Sequence, residues 1–370
     1  MRGHVLVTGG AGFIGSHVAR ELLARGYAVR AFDALQEQVH GGAERPEYLM
    51  EDVELAVGDI RDREAVARAL DGIDIVVHFA ARVGVGQSMY EIADYTSVNG
   101  YGTAVLLEAM MDRPIRKLLV ASSMSVYGEG LYVAAEGPVE AVERSRAQLE
   151  RGDWQPRGPD GEQLRPVATP ETKRPALSSV YALSKYDQER MCLMFGSSYG
   201  VPTVALRFFN VYGPHQALSN PYTGVLAIFA GRLLNGRPPL IFEDGEQRRD
   251  FVNVDDVARA CVLALDADGA DGMVVNVGSG ESVTVSEIAN RLARVLGCEH
   301  IASGITGKYR VGDVRHCFAD TSLAERTLGY RSTVSLEEGI LRLAGWLEGQ
   351  VAHDRVDNAT AELAERGLTL

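Results

Sequence analysis

Three glycines at three-residue spacing constrain the fold of this chain more than any other feature. Gly9, Gly12 and Gly15 follow an apolar segment and precede a helical pattern, in the sequence VLVTGGAGFIGSHVARELL. Glycine lets the backbone of such a turn approach a bound diphosphate closely, and the following helix directs free N–H groups at that anion. The strand before the turn and the helix after it supply the context that this motif requires. The turn therefore predicts a dinucleotide-binding α/β domain.

The segments that follow alternate between short apolar runs and helical patterns. The predicted strands are Val5–Thr8, Ala28–Phe32, Leu55–Val57, Ile75–Phe79, Lys117–Ala121 and Thr203–Phe208. The predicted helices include Ser16–Arg25, Asp62–Leu70, Asn99–Met111 and Val180–Tyr199. Continuous apolar strands that alternate with helices indicate a parallel sheet covered on both faces. We therefore predict a doubly wound parallel sheet of the Rossmann type, with a smaller α/β C-terminal lobe for the substrate.

The pattern divides the chain into three parts. Residues 1–207 form the predicted Rossmann domain, with a surface insertion at about 129–175 that carries 6 of the 13 prolines. Residues 208–350 mainly build the smaller lobe, in which we expect a short strand at Val274–Val277 between helices. Residues 351–370 form a polar tail that we expect to fray.

Charge and composition exclude several classes of function. The 370 residues include 50 acidic and 37 basic side chains, a formal charge of −13, which argues against a nucleic-acid partner. No apolar run approaches the roughly 18 residues that span a bilayer, and the N-terminus lacks the pattern of a secretion signal. The four cysteines, at positions 192, 261, 298 and 317, form no CxxC pair. We expect a cytoplasmic protein without a membrane partner, disulfides or a metal site.

An acidic residue ends the second predicted strand. Asp33, in RAFDAL, is placed to accept hydrogen bonds from the adenosine ribose hydroxyls. Its carboxylate would repel a 2′-phosphate, so NAD is favoured over NADP. Asp59 and Ile60, where the third predicted strand ends, are placed to flank the adenine. The residues therefore predict NAD as the cofactor.

A tyrosine and a lysine stand four residues apart in the longest predicted helix. Tyr181 and Lys185, in SSVYALSKYDQE, share one helical face, one turn apart. An ammonium group near a phenol favours the phenolate and lowers the phenol pKa from about 10. The spacing therefore predicts that Tyr181 acts as a base near neutral pH.

With these motifs in this order, the chain resembles the extended short-chain dehydrogenase/reductase family, which includes the nucleotide-sugar epimerases and dehydratases. The resemblance covers about residues 4–345. It is carried by TGGAGFIG (8–15), GDIRD (58–62), HFAA (78–81), VNGYGT (98–103), SSMSVYG (122–128), YALSK (181–185), RFFNVYGP (207–214), RRDFVNVDD (248–256) and NVGSG (276–280). So many ordered matches make the resemblance specific.

The resemblance implies a role for each matching residue. Ser123 would hydrogen-bond the substrate hydroxyl beside Tyr181, and Lys185 would also hold the nicotinamide ribose. The implied cofactor-binding residues are Gly9, Gly12, Phe13, Ile14, Gly15, Asp33, Asp59, Ile60, Ala80, Ala81, Asn99, Tyr181 and Lys185. The implied substrate-binding residues are Ser123, Asn210, Arg249, Arg310, Asp313 and Cys317, with the arginines on the diphosphate and Asp313 on the nucleotide ribose. The resemblance also implies a homodimer through two long helices, one of them Val180–Tyr199.

The two residues after Ser123 discriminate among the reactions of this family. Dehydratases carry an Asp-Glu pair there and decarboxylases carry a Glu, whereas this chain has Met124 and Ser125. A 3,5-epimerase would need a further acid/base pair; His215 is present, but the cysteine that such relatives place near Met124 is not. Inversion at C4 needs only Ser123, Tyr181 and the cofactor. NAD-dependent C4 epimerisation of a nucleotide-diphosphate sugar is therefore the favoured function.

Three other functions are alternatives to C4 epimerisation for this sequence. A one-way nucleotide-sugar reductase or dehydrogenase would use the same tyrosine and lysine, so it is an alternative, as is the 3,5-epimerase. A non-enzymatic NAD-binding scaffold is disfavoured, because a scaffold has no use for a phenol tuned as a base.

Two features bear on the identity of the sugar. Cys317 stands where 4-epimerases of the family have either a small residue or a tyrosine, and a small residue leaves room for a bulky C2 substituent. The insertion segment WQPRGPDGEQLRP resembles one found in bacterial 4-epimerases of activated deoxyhexoses. Several of those carry a cysteine pair where this chain has Gly158 and Gly161, a departure that removes any metal site. A dTDP-6-deoxyhexose is favoured as substrate, with a UDP-hexose next.

Overall fold

The computed structural model describes residues 2–140, 143–218, 220, 222, 224–310, 312–348, 350 and 356–369. Their strands are β1 His4–Thr8, β2 Ala28–Asp33, β3 Glu54–Val57, β4 Ile75–His78, β5 Lys117–Ser123, β6 Leu131–Ala134, β7 Gly137–Glu140, β8 Arg165–Val167, β9 Thr203–Phe208, β10 Asn210–Tyr212, β11 Leu240–Ile241, β12 Arg248–Arg249, β13 Phe251–Asn253, β14 Val274–Val277, β15 Val283–Thr284, β16 Gly304–Ile305 and β17 His316–Cys317. Their α-helices are α1 Phe13–Ala24, α2 Glu37–His40, α3 Arg63–Ala69, α4 Val85–Ser88, α5 Ile92–Tyr95, α6 Gly102–Met110, α7 Arg146–Glu150, α8 Val180–Tyr199, α9 Val225–Leu234, α10 Val254–Asp266, α11 Val285–Val295, α12 Ser322–Leu328, α13 Leu336–Leu347 and α14 Val356–Glu365.

The main sheet has seven parallel strands in the order β3-β2-β1-β4-β5-β9-β14. Strands β2 and β3 lie on one side of β1, and the strands from β4 onward lie on the other. The direction of winding therefore reverses between β1 and β4, and ligands bind outside the carboxyl ends of the strands at such a point. The predicted doubly wound Rossmann sheet is confirmed.

Alternate side chains of each central strand enter two different cores. Val5 and Val7 of β1 pack in the core under α1 and α10, whereas Leu6 faces the opposite core under α3, α6 and α8. All three side chains are fully buried. A strand with both faces covered has no solvated side, which is why its sequence is a continuous apolar run.

The two lobes are interlaced along the chain. After β9 the chain builds β10 and α9 of the smaller lobe, then returns to the main sheet with α10, which packs against α1, and with β14. Helices α11 and α13 then complete the smaller lobe, whose core is formed with α9 around Phe229, Ile288 and Ile340. The segment Val274–Val277, expected within the smaller lobe, is thus the edge strand of the main sheet.

The insertion forms a structured layer against the smaller lobe. Its strands make an antiparallel sheet in the order β7-β6-β8, in which Tyr132 is fully buried. The Gly130 N–H donates to the carbonyl of His316 at 2.8 Å, and Thr169 forms an isolated parallel bridge with Ala319. The segment is therefore more ordered than the surface loop that its composition predicts.

The C-terminal segment also differs from the prediction. Instead of fraying, residues 356–365 form α14, in which Ala359 and Leu363 are 8% and 5% exposed. Residues 351–355 and 370 of the predicted tail lie outside the described residues.

A buried ion pair lies beneath the strand that ends in Ser123. Glu189 of α8 accepts two hydrogen bonds from Arg207 of β9, at 2.9 and 2.8 Å, and a third from the Ser122 hydroxyl at 2.6 Å. The Glu189 and Arg207 side chains are 1% and 5% exposed. The guanidinium also lies 4.6 Å from the ring centroid of Tyr127. Both charges are thus paired out of water, so neither can be removed alone without leaving the other unpaired.

Candidate active site

The glycine-rich turn lines a cleft at the carboxyl ends of the sheet. Gly9, Gly12 and Gly15 all contribute to its wall. A Cβ added to Gly15 would lie 2.3 Å from the Gly9 carbonyl oxygen, so only glycine allows α1 to pack this close to the turn. The described residues provide no side-chain cap at Gly12 and no acidic residue in the first turn of α1. The N–H groups at this helix end are thus available to an anion such as a diphosphate, as the sequence predicts.

Asp33 stands at the end of β2, beside the same turn. Its carboxylate accepts hydrogen bonds from the N–H groups of Ala11, at 3.1 Å, and Leu35, at 2.9 Å. The His40 Nε2 atom lies 3.4 Å from the same carboxylate oxygen that accepts the Leu35 N–H. A carboxylate held in place by two backbone donors is preorganised to accept hydroxyl groups, so the residues here fit the adenosine ribose of NAD.

Replacing this carboxylate by an amide should weaken the preference for NAD. We expect Asp33→Asn to lower the affinity ratio of NADH to NADPH by about tenfold to a hundredfold, the usual strength of a hydrogen bond to a charged group. The amide keeps the size of the side chain but no longer repels a 2′-phosphate. Titration of both reduced cofactors by fluorescence gives the ratio. Asp52→Asn, on an exposed loop, should leave it unchanged, and a ratio unaffected by Asp33→Asn would contradict the assigned role.

The remaining predicted cofactor residues separate into two groups. Those that line the cleft are Phe13, Ile14, Asp59, Ile60, Ala80 and Ala81. Asn99 is fully buried outside the cleft lining, contrary to the prediction that it lines the cleft. Its amide is occupied, because it accepts the Arg82 N–H at 2.6 Å and donates to the Arg82 carbonyl and the Ser184 hydroxyl. Asn99 thus links the loop after β4 to α8 by hydrogen bonds.

Tyr181 and Ser123 meet inside the cleft. Ser179 caps α8 by accepting the Ala182 N–H, and Tyr181 then occupies the first turn with its own N–H on the Ser88 hydroxyl at 3.0 Å. Both the Tyr181 and the Ser123 side chains line the cleft. Burial raises the pKa of Tyr181, and a hydrogen bond with Ser123 acts in the opposite direction without reversing the shift. The pair therefore stands ready to share a proton with a substrate hydroxyl.

Lys185 has a hydrogen-bond partner, Gln188, that the sequence motif does not reveal. Its Nζ donates to the Gln188 side chain at 2.7 Å, and Gln188 in turn bonds His78 and Thr103. Burial lowers the pKa of Lys185 to about 8. The expected lowering of the Tyr181 pKa by Lys185 is not observed, because burial raises that pKa and the group that opposes the shift is Ser123. The three-residue spacing of Lys185 and Gln188 on α8 was the available signal.

The predicted diphosphate clamp is also assembled on the cleft wall. Arg249 and Arg310 both face Asp313, with N–O distances of 3.3 and 3.6 Å. Burial alone would raise the pKa of Asp313, but the two guanidinium groups outweigh it and hold that pKa below its ordinary value. Asn210 lies on the same wall, with a buried side-chain oxygen that has no partner among the described residues. The four residues therefore present charge and hydrogen-bonding groups to a common ligand.

The insertion contacts this clamp through Arg144, which bonds the backbone of Asp313. Arg144 is 6% exposed; it pairs with Glu243 at 2.7 Å and donates to the carbonyl of Asp313 at 3.1 Å. Arg315, which is fully buried, bonds both Glu243 at 2.8 Å and Asp244 at 2.6 Å. Two arginines thus share one buried carboxylate, and one of them fixes the backbone of Asp313. These contacts join segments far apart in the sequence, so no local pattern predicts them.

Cys317 differs from its predicted position. It is 1% exposed in β17, packs with Met124, Tyr127 and Phe209, and has its sulfur 3.9 Å from the Thr169 hydroxyl. It does not belong to the described lining of the cleft. The insertion strand that ends near Thr169 covers it, so the predicted direct contact with a sugar is not available to its side chain.

His215 lies near the glycine-rich turn rather than beside Ser123. Its ring stacks on Tyr48, with centroids 4.7 Å apart, and the Tyr48 hydroxyl donates to the carbonyl of Ala11. A second ring contact, at 5.1 Å, joins it to His17 of α1. This position disfavours the use of His215 as the acid/base residue of a 3,5-epimerase.

The described residues contain neither a candidate metal site nor a candidate membrane-spanning helix. Within that part of the chain, no group of three or more His, Cys, Asp or Glu side chains could hold a metal ion. None of the helices described there combines the length and apolar character needed to cross a membrane.

Comparisons with known proteins agree with this geometry. The sequence model of the NAD dependent epimerase/dehydratase family matches residues 5–278. A curated relative, the dTDP-L-rhamnose 4-epimerase of Burkholderia thailandensis, is 36% identical over 93% of this chain and 94% of its own length.

Solved structures superpose over nearly the whole chain. The UDP-glucose 4-epimerase of Thermotoga maritima, solved with UDP-glucose, has a TM-score of 0.76 at 32% identity and covers 94% of this chain and 99% of its own. The UDP-glucuronic acid 4-epimerase of Bacillus cereus, solved with UDP-glucuronic acid and NAD, also has a TM-score of 0.76, at 28% identity with the same coverage. These three similar proteins are thus all 4-epimerases by name but differ in their sugars.

Proposed function

The chain belongs to the NAD-dependent epimerase/dehydratase family, and we propose that it inverts C4 of a dTDP-linked 6-deoxyhexose. It is an isomerase of the NAD-dependent nucleotide-sugar 4-epimerase class. A UDP-hexose is the second candidate substrate, in keeping with the UDP-sugar epimerases among the similar proteins.

One observation carries the choice of reaction. Ser123 and Tyr181 face each other in the cleft, and the residues that follow the serine, Met124 and Ser125, offer no carboxylate. C4 inversion moves one proton on oxygen and one hydride on carbon, so it needs no second acid/base pair. The side chains at hand are thus sufficient for epimerisation and insufficient for elimination of water.

The proposed mechanism assigns each proton to a named atom. Tyr181 Oη removes the proton of the 4-hydroxyl, and Ser123 Oγ holds that hydroxyl through a hydrogen bond. The glycine-rich turn and Asp33 would hold NAD, which would supply reversible hydride transfer at C4, and the positive charge of its oxidised ring would favour the Tyr181 phenolate. Arg249 and Arg310 hold the diphosphate while the sugar turns about it. Tyr181 finally returns its proton to the new 4-hydroxyl, so the enzyme is regenerated.

The lining of the cleft supports a deoxy sugar over a uronic acid. Arg82, a cation on the loop after β4, is held by Glu91 and Asp94, each at 2.8 Å. Its charge is already balanced, so it adds little attraction for a sugar carboxylate. Met124, beside Ser123, is apolar and suits a methyl group at C6 better than a polar substituent.

Proton NMR of the purified protein with candidate sugars tests the proposed function. The protein is incubated without added cofactor with dTDP-L-rhamnose, UDP-glucose, UDP-N-acetylglucosamine or UDP-glucuronic acid. We expect a C4 epimer of dTDP-L-rhamnose, formed fastest of the four. Conversion that requires a stoichiometric supply of NAD or NADH would instead identify a one-way dehydrogenase or reductase.

The insertion residue Arg144 provides a separate prediction about substrate binding. Arg144→Met removes the donor that fixes the backbone of Asp313, and we expect KM for the nucleotide sugar to rise about tenfold with kcat nearly unchanged. Arg146→Met is the matched control, because Arg146 is exposed and pairs with Glu150 on its own helix. Steady-state kinetics measures both constants. Equal KM values for the two variants would show that the insertion does not position the nucleotide site.

A homodimer is also part of the proposed function. Helix α8 leaves Leu183, Met194 and Tyr199 more than half exposed, and Tyr101 near it is 49% exposed. Large exposed side chains on α8 and at Tyr101 support an interface at this surface between two copies of the chain. Sedimentation velocity of the wild type and of Met194→Glu tests it, with a shift to monomer expected for the variant.

A further inference from the structure

We propose that residues 356–369 form a strap that closes the sugar end of the cleft and helps to select the sugar. The inference rests on the proposed function, because it assigns the strap a part in binding the same substrate. The strap consists of α14 and the residues after it, and it contacts both lobes.

On the Rossmann side, the strap packs against α4 and against Tyr90. A Cβ added to Gly86 would lie 3.4 Å from both methyl groups of Leu363, so the two are in direct contact. The Glu362 carboxylate accepts the Tyr90 hydroxyl at 3.2 Å, and the Arg366 guanidinium lies 4.3 Å from the Tyr90 ring centroid. Apolar contact and hydrogen bonding thus fix the middle of the strap to the Rossmann domain.

On the side of the smaller lobe, the strap is held at two further places. Asp357 pairs with Arg232 at 2.7 Å and with Arg237 at 3.0 Å. Near the C-terminus, the backbone of Thr369 forms an antiparallel bridge with Arg310, one of the two arginines of the clamp. The strap therefore crosses from one lobe to the other over the cleft.

The path of the strap follows the expected path of the substrate. Gly86, under Leu363, is two residues from Ser88, whose hydroxyl accepts the Tyr181 N–H. The C-terminal end of the strap lies at Arg310. The middle of the strap thus lies near the catalytic tyrosine and its C-terminal end at the diphosphate clamp, the proposed places of the sugar and of the diphosphate to which the sugar is bonded.

The strap presents an apolar surface to the cleft. Val356, Ala359, Leu363 and Leu368 line it together with one polar residue, Thr360, while the charged residues Asp357 and Arg366 are 55% and 47% exposed. A methyl group packs against such a wall without loss of hydration, whereas a hydroxymethyl or carboxylate group would lose hydrogen bonds to water there. The wall therefore favours a 6-deoxy sugar over a hexose or uronic acid.

Retention of the oxidised sugar is the second task of the strap. Removal of the hydride from C4 and of the proton from the 4-hydroxyl leaves a 4-keto sugar, which must rotate in the site before the hydride returns. Three strap side chains that make polar contacts, Asp357, Glu362 and Arg366, are 55%, 41% and 47% exposed, and contacts of exposed side chains are weak enough to open for substrate binding. A closed strap keeps the ketone in place during the turn.

The test compares two substitutions on neighbouring positions of α14. Leu363→Asp places a charge on the apolar contact with Gly86, and Ala364→Asp places the same charge on an exposed position of the same helix. Hydrogen exchange of residues 356–369, followed by mass spectrometry, is measured with and without dTDP-L-rhamnose. We expect the sugar to slow exchange in wild type and Ala364→Asp, and exchange in Leu363→Asp to be about tenfold faster.

A second readout follows the ketone itself. We expect Leu363→Asp to release 4-keto sugar into solution, detected by NMR, and to narrow the KM difference between dTDP-L-rhamnose and UDP-glucose. Asp357→Lys, which should open the strap at its N-terminal end, should also release 4-keto sugar and narrow the KM difference. Asn358→Lys, at an exposed position, is its control. Unchanged thermal unfolding of each variant would show that the effect is local.

The outcomes separate this inference from the proposed function. If wild type epimerises a sugar but all four variants match it in exchange, ketone release and KM, the strap has no role and the inference is overturned. If wild type shows sugar-dependent protection of residues 356–369 without any epimerisation, the strap stands and the proposed reaction fails.

Discussion

Replacement of Tyr181 by phenylalanine is expected to lower kcat by about 10²–10⁴-fold, the usual contribution of a positioned general base. Phenylalanine fills the same space in the first turn of α8 and lacks only the hydroxyl. The Ser123 hydroxyl alone is left to contact the 4-hydroxyl, and a serine cannot hold the released proton near neutral pH. Affinity for dTDP, measured by calorimetry, should change little, since the substitution leaves the proposed diphosphate site at Arg249 and Arg310 unchanged.

A tyrosine on the same helix provides the control for this result. Tyr199 ends α8, is 51% exposed, and its hydroxyl contacts only the Met111 sulfur, at 3.5 Å, in the described residues. Tyr199→Phe removes the same atom and should keep kcat within about twofold of the wild type. Turnover by Tyr181→Phe within about tenfold of the wild type would mean that another group accepts the proton.

The second large effect is expected at the buried ion pair beneath the active site. Glu189→Leu leaves the Arg207 guanidinium unpaired in the core and should lower the free energy of unfolding by about 3–5 kcal/mol. Urea unfolding followed by circular dichroism measures the change. The double variant Glu189→Leu, Arg207→Met removes both charges and should recover most of the loss, because paired burial itself contributes little net stability.

A surface pair gives the reference for that experiment. Arg25 and Glu21, one turn apart on α1, are 35% and 31% exposed. Glu21→Ala should change the free energy of unfolding by at most about 1 kcal/mol. If the double variant were as unstable as Glu189→Leu, the lost stability would come from packing or from the Ser122 hydrogen bond rather than from the unpaired charge.

The sequence was sufficient to predict those parts of the structure that depend on a fixed spacing of neighbouring residues. The turn at Gly9, Gly12 and Gly15 has a fixed spacing, and Tyr181 and Lys185 lie one helical turn apart, so both groups could be placed before any contact was known. The bounds of α8 and β9 match their predicted ranges for the same reason. Each element follows one local sequence pattern from its first residue to its last.

Other parts depend on contacts between distant segments. Asn99 has the expected identity but faces the backbone of Arg82, and nothing in its neighbourhood in the sequence says which side of the cleft wall it occupies. The pKa of Tyr181 follows from burial, which depends on every segment around it. Arg144 and Leu363 lie in segments with mixed polarity, and their importance comes from Asp313 and Gly86, which are remote in the chain.

The interlaced lobes limit how a chain of this kind can acquire a new substrate. Because the chain crosses between β9, α9, α10, β14 and α11, the smaller lobe cannot be excised by one cut or exchanged as a module by recombination. The insertion at 129–175 and the segment 356–369 are different, since each can change in length or composition without interrupting the main sheet. Diversification of sugar preference on this scaffold is therefore expected to concentrate in these two peripheral segments, while the doubly wound sheet stays constant.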